Sequence, residues 1–229
     1  ERVRFMTCRA ALGTDCSYAD VGRMGGAVQA LPVAAATAQC SYCSSPTWSP
    51  DGTRLVFTRS DTIFVSAVAD TAPRAIAVDT NWLRGVGPHS FAWSPDGKRI
   101  AYVWGNILWR FSYNVDGSSI WIVDAKGGEP YPVAGRGLLN VSPVWLDGSH
   151  LLFVSNRDGP RAVYVVELGA KGPRGVAKPV PGIADPHSIS YSVGSRRLAF
   201  SKFTVQQNIW EYPLDQRAPI SIRAGRPLT

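Results

Sequence analysis

Short runs of alternating hydrophobic and polar residues fill most of the chain and predict β-strands. The alternation places Leu55 with Phe57 on one side of a strand, and Ile100 with Tyr102 on one side of another. Nowhere does the sequence keep a convincing helical period over about 11 residues. We therefore expect an all-β protein.

The predicted strands group into a unit that recurs roughly every 45 to 50 residues. Each unit carries an aromatic residue, a turn and an alternating strand; the four copies are residues 48–57, 93–102, 145–153 and 191–200. The first two turns read Trp-Ser-Pro-Asp-Gly, the third is one residue shorter, and the fourth keeps only the frame. Pro presets φ, Asp accepts local backbone hydrogen bonds and Gly adopts the left-handed conformation, so the motif predicts a tight turn between two strands.

Each unit continues with a third strand, in which an aromatic follows a β-branched residue, and with a weaker fourth strand. The third-strand pairs are Ile63-Phe64, Ile120-Trp121, Val163-Tyr164 and Ile209-Trp210. Four-stranded units of this length indicate a β-propeller of antiparallel blades. A β-sandwich would explain the short strands, but it would not explain the turn that recurs at matching positions.

The predicted propeller forms a single domain over residues 1–229. Its units are a partial blade at 1–34 and full blades at 44–80, 89–134, 142–180 and 187–224. One partial and four full blades suggest part of a six-bladed or larger ring. Unpaired blade edges invite association, so we expect this fragment to be aggregation-prone or oligomeric.

The segment from Pro46 to Val65 resembles the blade of TolB-type, WD-repeat-like propellers, and the similarity extends over about residues 45–214. Such propellers occur in periplasmic TolB, in prolyl-oligopeptidase-type enzymes and in bacterial receptor-like Ser/Thr kinases. The last blade is most similar to the kinase group and related regulators, although the last two blades lack the Ser-Pro-Asp pattern. The resemblance implies a sensor or interaction domain of a larger bacterial protein, in a periplasmic or extracytoplasmic location.

Charge and motifs narrow the possible functions. The net charge is +7, but the basic residues are scattered, without the cationic stripe and interleaved aromatics of a nucleic-acid-binding surface. No apolar run reaches the ~18 residues of a membrane span, so we expect no direct membrane insertion in this segment. The sequence lacks Gly-x-Ser-x-Gly, P-loop, His-Glu-x-x-His and Gly-x-Gly-x-x-Gly motifs, so we expect neither intrinsic catalysis nor a cofactor.

Propeller topology places the longer loops on the face opposite the repeated turns, where binding usually occurs. His89 and His187 each precede the repeat aromatic by four residues, at the start of an innermost strand near the channel mouth. Each histidine would either tie down a loop by a hydrogen bond or contact a ligand or metal. Two histidines alone make a poor zinc site.

An insertion at residues 104–113 carries four aromatics and one arginine. Trp104, Trp109, Arg110 and Tyr113 would either pack on their own blade or form an exposed patch that binds a protein or peptide.

The four cysteines are Cys8, Cys16, Cys40 and Cys43. Topology gathers them on the face of the longer loops. Disulfides, free thiols and a four-thiolate zinc site are all compatible with the sequence, which does not define the connectivity.

Together, these features predict a non-catalytic propeller that binds a protein or peptide partner. One alternative is the substrate-gating propeller of a prolyl-oligopeptidase-type peptidase that lacks its catalytic domain. Another is a propeller that binds a small ligand or metal at the channel mouth.

Overall fold

The computed structural model contains 19 strands and no helix within the residues it describes, which are 2–8, 16–22, 24–30, 46–59, 61–67, 72–78, 87–106, 117–135, 137–202, 209–212 and 225–227. The strands are β1 Arg2–Cys8, β2 Cys16–Gly22, β3 Gln29–Ala30, β4 Thr47–Trp48, β5 Arg54–Arg59, β6 Thr62–Ala67, β7 Arg74–Val78, β8 His89–Trp93, β9 Arg99–Gly105, β10 Ser118–Asp124, β11 Tyr131–Ala134, β12 Asn140–Trp145, β13 His150–Ser155, β14 Ala162–Leu168, β15 Pro173–Pro179, β16 Ser188–Ser192, β17 Arg197–Ser201, β18 Trp210–Glu211 and β19 Arg226–Pro227.

The strands form antiparallel sheets that follow one another along the chain. The first has three strands in the order β1-β2-β3, and the next three have four strands each: β4 to β7, β8 to β11 and β12 to β15. Each four-stranded sheet is a blade whose strands pair in chain order, as the repeat predicts. In the last unit the described strands form two separate pairs, β16-β17 and β18-β19.

The repeated turns owe their shape to the residues of the motif. In the first turn the Ser49 hydroxyl donates to the Asp51 carboxylate at 2.5 Å, and the Gly52 amide donates to the Ser49 carbonyl at 2.8 Å. Gly52 has a φ of 72°, which glycine adopts without strain. Hydrogen bonds from the Ser49 hydroxyl and from Thr53 lower the pKa of Asp51 to about 2. The carboxylate therefore stays ionised and holds the turn together.

The same motif also joins neighbouring blades. The indole of Trp93 donates to the Thr47 carbonyl of the preceding blade at 2.9 Å. Arg54, also of the preceding blade, lies over the Trp93 ring at 4.9 Å and donates to the Gly97 carbonyl at 2.8 Å. We call this set of contacts the Arg–Trp link.

The Arg–Trp link recurs between the next two blades. The Trp145 indole donates to the Ala92 carbonyl at 3.0 Å, and Arg99 stacks over Trp145 at 4.8 Å while donating to the Gly148 carbonyl. At the following junction the arginine position holds His150, which pairs with Asp147 of its own turn at 2.9 Å. Tyr191 replaces the tryptophan there and has no indole N–H to donate.

Hydrophobic cores fill the spaces between blades. Alternate residues of β9 enter different cores: Ile100 and Tyr102 pack with the blade before, whereas Ala101 and Val103 pack with the blade after. A central strand buried on both faces is what stacked blades require. The blades therefore place their first strands, β4, β8, β12 and β16, side by side.

Candidate functional site

The inner strands β8, β12 and β16 enclose a cleft of about 500 Å³, lined by residues 89–91, 141–144 and 187–189. The cleft contains hydroxyl and imidazole groups from three successive units. It brings together both histidines singled out from the sequence, His89 and His187.

His89 is buried and makes a defined pair of hydrogen bonds. Its Nε2 lies 2.9 Å from the Gly105 carbonyl, and its Nδ1 lies 2.9 Å from the Ser90 hydroxyl. A carbonyl can only accept, so Nε2 carries the proton and Nδ1 accepts from Ser90. His89 thus ties β8 to the end of β9 and orients the exposed Ser90 hydroxyl at the cleft.

Ser90 and Ser142 occupy the same position in successive blades. Both have left-handed backbones, with φ of 52° and 55°, and both lie where the pairing of the inner strand with its neighbour slips. β-Bulges of this kind often redirect a side chain near a binding site. Here the bulges place two hydroxyls in the cleft.

The two hydroxyls have different hydrogen-bond partners because two residues differ: Pro143 stands where the next strand has Ile189, and His89 stands where the next blade has Val141. The Ser142 hydroxyl accepts from the Ile189 amide at 2.9 Å and donates to the Ile189 carbonyl at 3.2 Å, joining β12 to β16. The corresponding partner for Ser90 would be Pro143, which has no N–H to donate. Ser90 consequently pairs with His89.

His187 is partly buried at the other side of the cleft. Its amide donates to the Ser201 carbonyl at 2.7 Å, and an Arg161 nitrogen lies 3.4 Å from its Nδ1. Burial and the adjacent Arg161 charge lower the pKa of His187, while Asp185 opposes the shift. The imidazole is therefore neutral at pH 7. Since an arginine nitrogen can only donate, Nδ1 accepts from Arg161 and Nε2 carries the proton, so the ring presents a donor to a ligand.

A second cavity of about 340 Å³ follows the first along the same strands, at the end that carries the repeated turns. Its walls include the repeat aromatics and two turn prolines: Trp48, Trp93, Trp145, Tyr191, Pro50 and Pro95. Val144 lines both cavities. The sequence favoured binding on the face opposite the repeated turns, and this second cavity was not predicted. The available signal was the aromatic at the same position of every inner strand.

Of the predicted binding residues in the aromatic insertion, the structure describes only Trp104. Trp104 lies at the end of β9 and packs against a core cluster. Trp109, Arg110, Tyr113, Cys40 and Cys43 lie outside the described residues.

Cys8 and Cys16 are backbone partners of β1 and β2. Among the residues that the structure describes, no three His, Cys, Asp or Glu side chains are grouped to hold a metal ion. No helix in the described part of the chain is long and apolar enough to span a membrane.

Successive four-stranded antiparallel sheets, stacked through two-sided cores with their first strands inward, define a β-propeller. The fold is similar to that of TolB from Acinetobacter baumannii, with a TM-score of 0.62 and 15% identity over 96% of this chain and 51% of that chain. The chain thus spans about half the length of that TolB structure. The expected TolB-like propeller fold is confirmed.

Peptidase structures contain similar propellers. The tricorn protease matches with a TM-score of 0.52 and 12% identity, over 99% of this chain and 28% of that chain. A prolyl endopeptidase matches with a TM-score of 0.55 and 16% identity, over 87% of this chain and 30% of that chain. No protein-family model matches the sequence, and no curated protein does so. At these identities the similarity establishes the fold alone, and the similarity to kinase propellers gains no support from it.

Proposed function

We propose that this chain is a non-catalytic interaction domain that binds an extended segment of a protein or peptide in the propeller channel. The observation that carries the proposal is the pair of cavities along β8, β12 and β16, which share Val144 but differ in chemistry. Hydroxyls and imidazoles line one end, whereas tryptophan, tyrosine and proline line the other.

An extended peptide fits this arrangement in length and in chemistry. The five residues of β8 span about 17 Å at about 3.3 Å per residue, so about five extended residues could lie alongside. The side chains of Ser90 and His187 at the polar end can form hydrogen bonds with the backbone groups of a peptide. The aromatic end suits an apolar anchor, since tryptophan and tyrosine are favoured contact residues at interfaces.

Selection of random displayed peptides against the chain tests the proposal. Val193 lines the aromatic cavity and is 53% exposed, so Val193→Glu should leave the fold intact while placing a charge in the cavity. We expect selected peptides to bind this variant at least about tenfold more weakly, because desolvating an unpaired carboxylate is costly. The matched control is Val176→Glu on the outer strand β15, where the valine is 82% exposed and lies away from the cavity.

Two results would contradict peptide binding: failure to enrich any peptide, or equal effects of the Val193 and Val176 substitutions.

Ser90 and His89 also make the hydrogen bond that a nucleophilic serine makes with its base. Labelling of Ser90 by a serine-reactive phosphonate would therefore refute the non-catalytic part of the proposal.

In our proposal the domain, residues 1–229, belongs to a larger bacterial protein as its sensor or interaction part. A receptor-like kinase or related regulator in which the propeller is periplasmic or extracytoplasmic fits this setting. A kinase domain and a membrane span encoded upstream would support this setting. An encoded α/β-hydrolase domain would replace it with the second candidate, the gating propeller of a prolyl-oligopeptidase-type peptidase, which the similarity to prolyl endopeptidases favours.

A third candidate is a small ligand or metal bound at the channel mouth. It depends on His89 and His187 lining the same cleft. His89 already uses both ring nitrogens within the protein, which disfavours metal binding through this residue. Calorimetric titration with zinc distinguishes this candidate. A metal site at the channel mouth predicts a heat of zinc binding that His187→Gln abolishes, whereas a peptide-binding channel predicts no such heat.

A further inference from the structure

The hairpin at the start of the chain brings two cysteines to the same position of its ladder. Strands β1 and β2 pair without a slip from Arg2 opposite Gly22 to Cys8 opposite Cys16. The two cysteines form the last pair, and residues 9–15 connect them. The backbone pairing therefore places two thiol-bearing residues opposite each other at the end of the hairpin ladder.

The spacing of directly opposed residues matches that of a disulfide. In antiparallel strands such residues have Cα atoms about 4.5 or about 5.5 Å apart, depending on the type of pair. Disulfide-bonded cysteines have Cα separations of about 4.4 to about 6.8 Å. We propose that Cys8 and Cys16 are joined by a disulfide.

This pairing selects among the alternatives that the sequence left open. The only other cysteines are Cys40 and Cys43, a Cys-x-x-Cys pair whose sequence spacing alone permits zinc binding. Cys8 and Cys16 instead end an uninterrupted ladder, whereas the zinc motifs of proteins place paired ligands about two to four residues apart in a turn. The pairing of β1 with β2 is compatible with a disulfide that cross-links the two strands of the hairpin.

The reaction needs an oxidant, and a small-molecule disulfide such as oxidised glutathione supplies it. One protein thiolate attacks the glutathione disulfide and releases one glutathione thiol; the second protein thiolate then displaces the other. Two S–H bonds are lost, one protein S–S bond forms, and two glutathione thiols carry away the protons and electrons. Such bonds persist in oxidising compartments, so the cross-link would fit an extracytoplasmic location.

Peptide mapping of the unaltered chain tests the pairing. The protein is equilibrated with reduced and oxidised glutathione, its remaining thiols are blocked with iodoacetamide, and it is digested with trypsin. Cleavage after Arg4, Arg9, Arg23 and Arg54 separates the cysteines into residues 5–9, residues 10–23 and residues 24–54. We expect residues 5–9 linked to residues 10–23, with a mass two hydrogens below the sum of the free peptides.

Other products would overturn the pairing: either peptide joined to residues 24–54, or Cys8 and Cys16 both recovered alkylated. Recovery of zinc with the chain, with both cysteines reactive after its removal, would also overturn it. The double substitution Cys40→Ser and Cys43→Ser is the control and should leave the link unchanged. The substitution Cys16→Ser should abolish the link and make Cys8 available to iodoacetamide.

Discussion

The Arg–Trp link makes a quantitative prediction about the junction between blades. Arg54→Met keeps much of the arginine stem but removes the guanidinium, which donates to the Gly97 carbonyl at 2.8 Å and lies 4.9 Å above Trp93. A hydrogen bond from a charged group contributes about 1.5 to 3 kcal/mol, and a partly exposed cation–π contact about 0.5 to 1 kcal/mol. Since Arg54 is only partly buried, we take the lower end and expect a loss of about 2 kcal/mol.

The assay is equilibrium unfolding in urea, followed by tryptophan fluorescence. The matched control is Arg197→Met, at the same repeat position in the last unit, where the arginine is exposed. We expect this control to change the free energy of unfolding by less than about 0.5 kcal/mol, as exposed surface substitutions usually do.

A double-mutant cycle isolates the link itself. Combining Arg54→Met with Trp93→Leu, which removes the ring under the guanidinium, should give a smaller loss than the sum of the two single losses, with a coupling of about 0.5 kcal/mol from the cation–π contact. Strict additivity of the two substitutions, or equal losses for Arg54→Met and Arg197→Met, would refute the reasoning.

Three further predictions follow from the same turns and from the cleft. Gly97→Ala should lower the free energy of unfolding by about 1 to 2 kcal/mol, because φ is 65° and the new Cβ would come within 2.7 Å of the Arg54 guanidinium. The control is Gly148→Ala, where a Cβ meets open space, and it should lower the free energy of unfolding by less than about 0.5 kcal/mol in the same urea assay. Asp51 has a pKa lowered from 3.8 to about 2, so its stabilising effect is complete above pH 3.8 and is lost as the pH falls towards 2; acid titration of Asp51→Asn should show a shallower loss of stability there. His187 has a pKa lowered from 6.5, so protonation favours the unfolded state and stability falls as the pH drops below 6.5. The substitution His187→Gln should therefore reduce the difference between the urea midpoints measured at about pH 7.5 and at about pH 5. An unchanged difference would contradict the lowered pKa.

The strands and turns could be predicted from the sequence because their determinants are local. Proline, aspartate and glycine fix the turn within a few residues, and alternation fixes which residues of β5 and β9 share a face. The partnership of Arg54 with Trp93 could not be predicted in this way. It depends on how closely two separate blades approach, and no spacing within one blade encodes that distance.

The candidate site was predictable only in part. The equivalent positions of His89 and His187 placed both near the channel mouth, and both line the same cleft. Sequence reasoning sought binding only on the face opposite the turns. It overlooked that four inner strands ending in aromatics bring those side chains together at the turn end.

The change at the last junction has a consequence for how the molecule opens. Arg–Trp links join the three four-stranded blades, whereas His150 and Tyr191 replace the paired residues at the junction between the third of these blades and β16. The last unit is also less covered: Ile209 is 62% exposed, while its counterparts Ile63 and Ile120 are buried. Free energies of local opening follow such differences in burial and contact. Amides of β16 and β17 should therefore exchange with solvent through fluctuations that leave the three linked blades folded, so the channel can widen from one side without global unfolding.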